Sequence, residues 1–252
     1  MPFKTNSFTD SLTQLLERLG GENVIILSEN DTLLNKLDDF PVEKQILHLD
    51  DFAEETPSKV EKVIYIGESK SPKLTAWCLQ NQPDEVFVIF PTDGKISENP
   101  VDLGRLLMQR FHLIEKGKDA ERVGLLLGSN GAHELSVKCM DKLRELGQNC
   151  GKSVYTVVVG EPTPQKLANL PEMDVFVLIG SPEVSILPAK GFYKPVLHPF
   201  EFMMACTGKD WTGKFCVNWA LFLDDNVEVT LKGFSEQGSF LAVGSFLAPA
   251  TV

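Results

Sequence analysis

Residues 174–182 read DVFVLIGSP, a short apolar run that ends at a glycine, a small polar residue and a proline. Residues 62–69, KVIYIGES, show the same pattern earlier in the chain. Short and nearly continuous apolar runs are typical of parallel strands whose two faces are covered by helices. An antiparallel sandwich would instead show alternating polar and apolar residues. The stretch therefore predicts an α/β fold with parallel sheets.

Segments of the same kind continue along the chain in both directions. Apolar runs that end at turn residues predict strands over residues 24–27, 45–49, 62–66, 85–90, 123–127, 153–159, 174–179 and 194–197. Apolar residues that recur every three or four positions predict helices over 7–19, 32–37, 74–80, 103–116, 134–146 and 164–170. Strands that alternate with helices favour parallel sheets with flanking helices.

The two halves of the chain resemble each other. Residues 85–93, EVFVIFPTD, match residues 194–201, KPVLHPFE, as a strand followed by proline. With the pair quoted above, this match suggests a duplicated α/β unit, and we expect domains over residues 1–118 and 119–252. The second unit has the strand 123–127 before its first helix, whereas the first unit opens with a helix. We therefore expect the first unit to lack its leading strand.

Charge and apolar content exclude several classes of protein. The chain has 24 Lys and Arg against 35 Asp and Glu, a net charge of −11. Such a field repels phosphate, so we expect no nucleic-acid partner and no membrane association. The apolar runs fall far short of the ~20 residues that a membrane-spanning helix needs. The five cysteines are widely spaced and odd in number, which indicates reduced thiols in a cytoplasmic protein.

Candidate binding residues follow the predicted strands, because ligands of parallel α/β folds bind beyond the carboxyl ends of strands. We select Gly128 and Ser129 after one strand, and Gly180, Ser181, Pro182 and Glu183 after another. The sequence Gly128-Ser129-Asn130-Gly131 lacks the third glycine of a dinucleotide site and the Lys-Ser/Thr of a phosphate loop. A strand-to-helix turn that needs glycine for its backbone angles is the favoured reading of this stretch, ahead of an anion site.

Local motifs name no reaction. The histidines form no H-x-x-x-H pair, the cysteines form no C-x-x-C pair, and no G-x-S-x-G nucleophile elbow occurs. We therefore predict no metal ligands and no catalytic residues from spacing.

Longer strings carry a resemblance to a known family. They are Gly160-Glu161-Pro162-Thr163-Pro164 with Lys166-Leu167-Ala168-Asn169, the run 174–178, Phe192-Tyr193-Lys194-Pro195-Val196 and Trp211-Thr212-Gly213. The chain resembles the diphthamide biosynthesis protein 2 family, the second subunit of 2-(3-amino-3-carboxypropyl)histidine synthase. The resemblance is strong over residues 108–202 and weak before residue 62 and after residue 218.

The resemblance implies an architecture and a chemistry. Family members have three similar parallel α/β domains around a cleft that holds a 4Fe–4S cluster through cysteines distant in sequence. With S-adenosylmethionine, the cluster yields a 3-amino-3-carboxypropyl radical that is added to a histidine of elongation factor 2. In eukaryotes a paralogous first subunit performs this chemistry, and the second subunit supports it.

Two departures from the family pattern shape our expectations. The match begins within the middle domain, so the fold would be a remnant of the three-domain architecture. Ser181 stands where the family has a cluster cysteine, in Gly180-Ser181-Pro182-Glu183 instead of Ala-Cys-Pro-Glu. A serine oxygen is a poor ligand for cluster iron, which prefers thiolate. In a purely structural reading, Ser181 caps the turn that follows it.

Three functional interpretations remain open at this point. The first is an accessory, non-catalytic subunit that pairs with the catalytic paralogue and acts on elongation factor 2. The second is a degenerate paralogue that serves as a small-molecule or regulatory binding module, with S-adenosylmethionine as a candidate ligand. The third is a fragment without an independent role.

Overall fold

The fold consists of two compact units, residues 1–105 and 106–252. The computed structural model describes residues 5–20, 24–30, 45–48, 60–127, 134–180, 186, 191–208, 211 and 213–218. The predicted helix over 32–37 therefore lies outside the described residues. Among those described, no helix is long and apolar enough to cross a membrane. Both units are sheets flanked by helices, which confirms the predicted α/β class.

The first unit contains a five-stranded sheet in the order β2-β1-β3-β4-β5. In chain order its elements are α1 (Thr5–Leu19), β1 (Val24–Ser28), β2 (Gln45–His48), β3 (Lys62–Ile66), α2 (Pro72–Asn81), β4 (Glu85–Ile89) and β5 (Ile96–Glu98). The first four strands run parallel, and β5 pairs antiparallel with β4. Leu12 and Leu15 of α1 pack on Ile26, Ile64 and Phe87 of the sheet, so this face forms an apolar core.

The second unit contains a four-stranded sheet in the order β7-β6-β8-β9, and all its pairs are parallel. Its elements are α3 (Leu103–Asp119), β6 (Arg122–Leu127), α4 (Glu134–Asn149), β7 (Ser153–Val158), α5 (Pro164–Ala168), β8 (Val175–Ile179), β9 (Val196–Leu197) and α6 (Pro199–Thr207). One face of the sheet packs on α4 and α6 through Val177, Leu143 and Phe202. The other face packs on Leu167 of α5 through Phe176.

The two sheets share one topology. The order β2-β1-β3-β4 in the first matches β7-β6-β8-β9 in the second, and each leading strand follows a helix, α1 or α3. Strand β1 therefore occupies the place of β6. The first unit therefore has a leading strand, contrary to our expectation. The domain boundary expected at residue 118 had assigned α3 to the first unit, so that the second unit was taken to open with β6.

Local differences from the sequence predictions have physical reasons. We expected α4 to end at residue 146, before Gly147, but it continues through Gly147 to Asn149. The amide of Lys152 then donates to the carbonyl of Gly147 at 2.9 Å. Strand β5 was not predicted, because three residues with only one apolar side chain carry no pattern. Asn99 fixes it instead: its amide and side-chain oxygen pair with the backbone of Val86 at 2.7 and 2.9 Å.

Glycine is required where α3 meets α6. A Cβ on Gly117, in the buried face of α3, would lie 2.9 Å from the Cβ of Ala205 and 2.8 Å from a methyl of Leu197. The Ala205 carbon belongs to the helix and cannot rotate away. By contrast, a Cβ on Gly104, at the other end of α3, would meet only the Asp102 carboxylate at 3.8 Å.

These two glycines give a matched test of the packing. Glycine to alanine in an exposed helix position stabilises by about 0.5–1 kcal/mol, so Gly104→Ala is expected to be neutral or stabilising. Gly117→Ala should instead lower the free energy of unfolding by about 1–3 kcal/mol, because overpacking outweighs helix propensity. Urea denaturation of both variants measures the effects. Equal stabilisation by the two substitutions would contradict the close approach of α3 and α6.

Candidate functional site

The carboxyl ends of β6 and β8 lie side by side. Leu127, the last residue of β6, pairs in register with Ile179, the last residue of β8. The chain therefore leaves the sheet at neighbouring points, and the candidate residues follow directly. Gly180 is described and partly buried. The other five candidates, Gly128, Ser129, Ser181, Pro182 and Glu183, lie outside the described residues, so their roles stay predictions.

The string Gly160-Glu161-Pro162-Thr163-Pro164 builds the turn between β7 and α5. Gly160 adopts a φ of 63°, and Thr163 caps α5 by accepting the Lys166 amide at 3.4 Å. The Lys166 ammonium donates to the carbonyls of Val159 and Glu161 at 3.0 and 2.9 Å. These residues therefore satisfy the backbone of the turn, which is a structural role.

A buried polar cluster lies beyond the carboxyl end of β9. His198 is the N-cap of α6, and its Nδ1 accepts the Phe200 amide at 3.1 Å. The His198 amide donates in return to Oε2 of Glu201 at 2.6 Å, and Oε1 of Glu201 pairs with the Arg110 guanidinium at 3.4 Å. All three side chains are almost inaccessible to solvent. The cluster joins α3, β9 and α6.

The environment of this cluster shifts both titrating groups toward their neutral forms. Burial, assisted by the Arg110 charge, lowers the pKa of His198 from 6.5 to about 3, and the Val217 backbone opposes this. Burial also raises the pKa of Glu201, which Arg110 and the His198 amide counteract. Phe215 covers the imidazole at 5.2 Å between ring centroids. A neutral, enclosed imidazole is suited to capping a helix and is poorly placed for proton transfer with solvent.

A second polar cluster, which sequence reasoning missed, lies at the carboxyl ends of β1 and β3. Glu29 accepts hydrogen bonds from the hydroxyls of Tyr65 at 2.6 Å and Ser71 at 2.5 Å. Ser71 also caps α2 by accepting the Leu74 amide at 3.3 Å. A Cβ on Gly67 would collide with the Tyr65 ring, so glycine there lets the hydroxyl turn back toward Glu29. The only signal in the sequence was the polar run after each strand.

The electrostatics of this second cluster hold its phenol neutral. Burial, followed by the hydrogen bond to Glu29, raises the pKa of Tyr65, whereas the hydrogen bond with Ser71 lowers it. The Tyr65 hydroxyl therefore acts as a donor. The cluster holds the ends of β1 and β3 and the start of α2 together through Oε1 of Glu29.

The cysteines do not fit a 4Fe–4S cluster at these strand ends. They lie in or after helices: Cys78 in α2, Cys139 in α4, Cys150 just after α4, Cys206 in α6 and Cys216 beyond α6. Burial raises the pKa values of Cys78, Cys139 and Cys216 to about 12, so these remain protonated thiols. Within the described part of the chain, no three His, Cys, Asp or Glu side chains group as a metal site. The donors near β1 and β3 are oxygens, which suit harder ions than cluster iron.

The His198 cluster predicts a specific acid sensitivity. Between pH 6.5 and about 3 the unfolded histidine binds a proton that the native one does not, so stability is full above pH 6.5 and falls as the pH drops. The loss from this group is at most about 1.4 kcal/mol per pH unit. His198→Asn keeps an oxygen in place of Nδ1 and does not titrate, so its stability should fall less between pH 6.5 and 5.

Urea denaturation at several pH values measures this slope. His112→Asn, at an exposed position of α3, is the control and should keep the wild-type slope. If His198→Asn and wild type lose stability in parallel, the neutral buried imidazole is refuted.

Several relatives match about half of the chain. The chain is 37% identical over 131 residues to 2-(3-amino-3-carboxypropyl)histidine synthase subunit 2 of Gallus gallus, and the matched stretch covers 51% of this chain and 27% of the relative. It is 38% identical over 152 residues to the same subunit of Homo sapiens, which is 56% of this chain and 31% of the relative. The matched stretches thus span less than a third of these curated relatives.

A solved structure shares the fold. The crystal structure of Dph2 from Pyrococcus horikoshii with a 4Fe-4S cluster aligns with a TM-score of 0.62 and 18% identity, covering 82% of this chain and 65% of that one. A second crystal structure of the same protein aligns with a TM-score of 0.58 and 17% identity, covering 81% and 63%. At this identity the likeness concerns the α/β architecture.

A family model described as "Putative diphthamide synthesis protein" matches residues 3–216. This range takes in nearly all the described elements of both sheets, including the turn at residues 160–164 and the His198 cluster. The match confirms the resemblance found in the sequence, and the chain belongs to the diphthamide synthesis protein family.

Proposed function

We propose that this chain is an accessory subunit of the complex that transfers a 3-amino-3-carboxypropyl group from S-adenosylmethionine to a histidine of elongation factor 2. Membership of the diphthamide synthesis family and the name of the relatives support this reaction. The matched stretches cover less than a third of those relatives. That this chain takes part in the complete reaction is therefore our proposal.

The observation that carries the accessory role is the set of donors at the strand ends. The residues that directly follow β1, β3, β6 and β8 are Glu-Asn-Asp, Gly-Glu-Ser, Gly-Ser-Asn-Gly and Gly-Ser-Pro-Glu. They supply hydroxyl, amide and carboxylate groups and no thiol, whereas cluster iron is held by thiolates. Ser181 in particular stands at the family's cysteine position. The chain therefore supports a cluster held by its partner and does not bind one by itself.

The segments that follow β6 and β8 both contain glycine. They begin directly after the register pair Leu127 and Ile179, so the chain leaves the sheet at neighbouring points, where ligands of parallel α/β folds bind. Glycines there let backbone amides approach a carboxylate or ribose closely. In our proposal Gly128, Ser129 and the residues 180–183 contribute contacts to S-adenosylmethionine in the assembled complex.

A catalytic paralogue of the same fold is the proposed partner, and edge strand β7 is its proposed contact. Among the described strands β7 pairs with β6 alone, and the Tyr155 and Val158 side chains of β7 are 48% and 76% exposed. Unpaired edges with exposed apolar side chains invite pairing with another chain.

Iron binding tests the accessory role directly. The purified chain, reconstituted anaerobically with iron and sulfide, should retain far less than one cluster per chain and show no cluster EPR signal after reduction. The same treatment with the catalytic paralogue present should give iron that elutes with the complex. A stoichiometric cluster on the isolated chain would refute the accessory role.

Capture of the paralogue tests the contact. Val158→Lys places a charge on the edge strand and should weaken anaerobic co-purification with the paralogue by at least about tenfold, as expected when a charge is buried unpaired. Val137→Lys, at an exposed apolar position of α4, is the matched control and should leave capture unchanged. Equal capture by both variants excludes β7 as the contact, and loss of capture by wild type excludes the accessory role.

A further inference from the structure

Two cysteines that are 56 positions apart in sequence meet on the surface of the second unit. The thiol of Cys150 donates to the backbone carbonyl of Cys206 at 3.0 Å, which places the two cysteines side by side. Cys150 is exposed and Cys206 is partly buried. The pair lies at the ends of α4 and α6, away from the carboxyl ends of the strands. The residues proposed to contact S-adenosylmethionine therefore do not include it.

Two packed helices hold these sulfur atoms in place. Cys150 follows the last residue of α4, and its amide still donates to the Leu146 carbonyl at 3.1 Å. Cys206 lies in the last turn of α6. The helices approach closely because Gly147 has no side chain: a Cβ there would lie 3.1 Å from the ring of Phe202. The proximity of the thiols is thus fixed by the packing of α4 and α6.

The surroundings give the two thiols different reactivities. Burial raises the pKa of Cys206, the charge of Cys150 and its hydrogen bond raise it further, and Lys152 opposes the shift. Accessible thiols react with peroxide first, because oxidation requires exposure and thiolate character. Peroxide therefore reacts first with the thiol of Cys150. The thiol of Cys206 lies next to Cys150 and is positioned to react with its oxidised form. Cys78, Cys139 and Cys216 are all buried.

We propose that Cys150 and Cys206 form a peroxide-responsive dithiol that closes to an intramolecular disulfide. The Cys150 thiolate attacks hydrogen peroxide, which breaks the O–O bond and gives a sulfenic acid and, after protonation, water. The Cys206 thiol then displaces the sulfenic hydroxyl, which leaves as a second water. In total, two thiols and one peroxide give one disulfide and two waters, so the sulfurs are oxidised and the peroxide is reduced.

The disulfide would staple the end of α4 to the end of α6. It closes a loop that runs through β7, α5, β8 and β9, so it restricts the unfolded chain and raises the unfolding temperature. The same loop contains the candidate residues 180–183 and the His198 cap. Oxidation therefore makes unfolding of the second unit less favourable, and a thiol reductant reverses this effect.

Peptide mapping of the full-length chain tests the proposal. The reduced protein is treated with hydrogen peroxide, the remaining thiols are alkylated, and tryptic peptides are analysed by mass spectrometry. A linked pair of peptides that contains Cys150 and Cys206, two hydrogen atoms lighter than their sum, is expected. The unfolding temperature should rise on oxidation and return to its starting value with dithiothreitol.

Variants separate this pair from other thiol chemistry. Cys150→Ser, at an exposed position, should abolish the link and the shift in unfolding temperature, and Cys206→Ser should leave Cys150 as a sulfenic acid that dimedone traps. Cys78→Ala, in the first unit, is the control and should form the link as wild type does. Dimedone labelling of Cys150 in the wild-type protein without any linked peptide, or disulfide-linked dimers in place of the internal bridge, would overturn the proposal.

Discussion

The second unit depends on one buried ion pair, Arg110 with Glu201, and on the histidine that closes it. Taking both charges out of water costs several kcal/mol per ion, and close pairing together with further hydrogen bonds offsets that cost. Both oxygens of Glu201 are used, one by the guanidinium and one by the His198 amide. Helix α6 can therefore begin at only one residue, and α3 can meet it in only one register.

The ion pair determines how α3 and α6 are positioned more than it adds to the free energy of unfolding. A buried ion pair often contributes no more stability than apolar residues of the same size. Removal of one partner, however, leaves the other charge buried without a counterion, which is strongly destabilising. The close contact of Gly117 with Ala205 has the same character, since it allows a single approach of α3 to α6. The ion pair and the Gly117 contact together fix the position of the carboxyl end of β9. Strand β9 pairs with β8, the strand that residues 180–183 follow.

The sequence predicted most strands because buried parallel strands are nearly uniform apolar runs. It failed where tertiary contacts decide the structure. The cap of α6 was missed because histidine is not among the usual N-cap residues, and only burial makes Nδ1 the acceptor for the Phe200 amide. Glu29 and Tyr65 could not be paired from sequence, because the parallel pairing of β1 with β3 brings them together across 36 positions. The Glu29 cluster has no local motif, whereas His198-Pro199-Phe200-Glu201 has the spacing of a capping box with histidine at the N-cap.

The most family-specific string and the site chemistry are separate features of this chain. Gly160, Thr163 and Lys166 are bound to one another by turn and cap hydrogen bonds, so their pattern preserves a turn and says nothing about a reaction. In our proposal the reaction depends instead on which donor follows β8, and serine is the residue at position 181. The strand itself is set by the buried apolar run Val175–Ile179, which does not depend on the donor that follows it. The accessory role that we propose rests on that independence of fold and ligand.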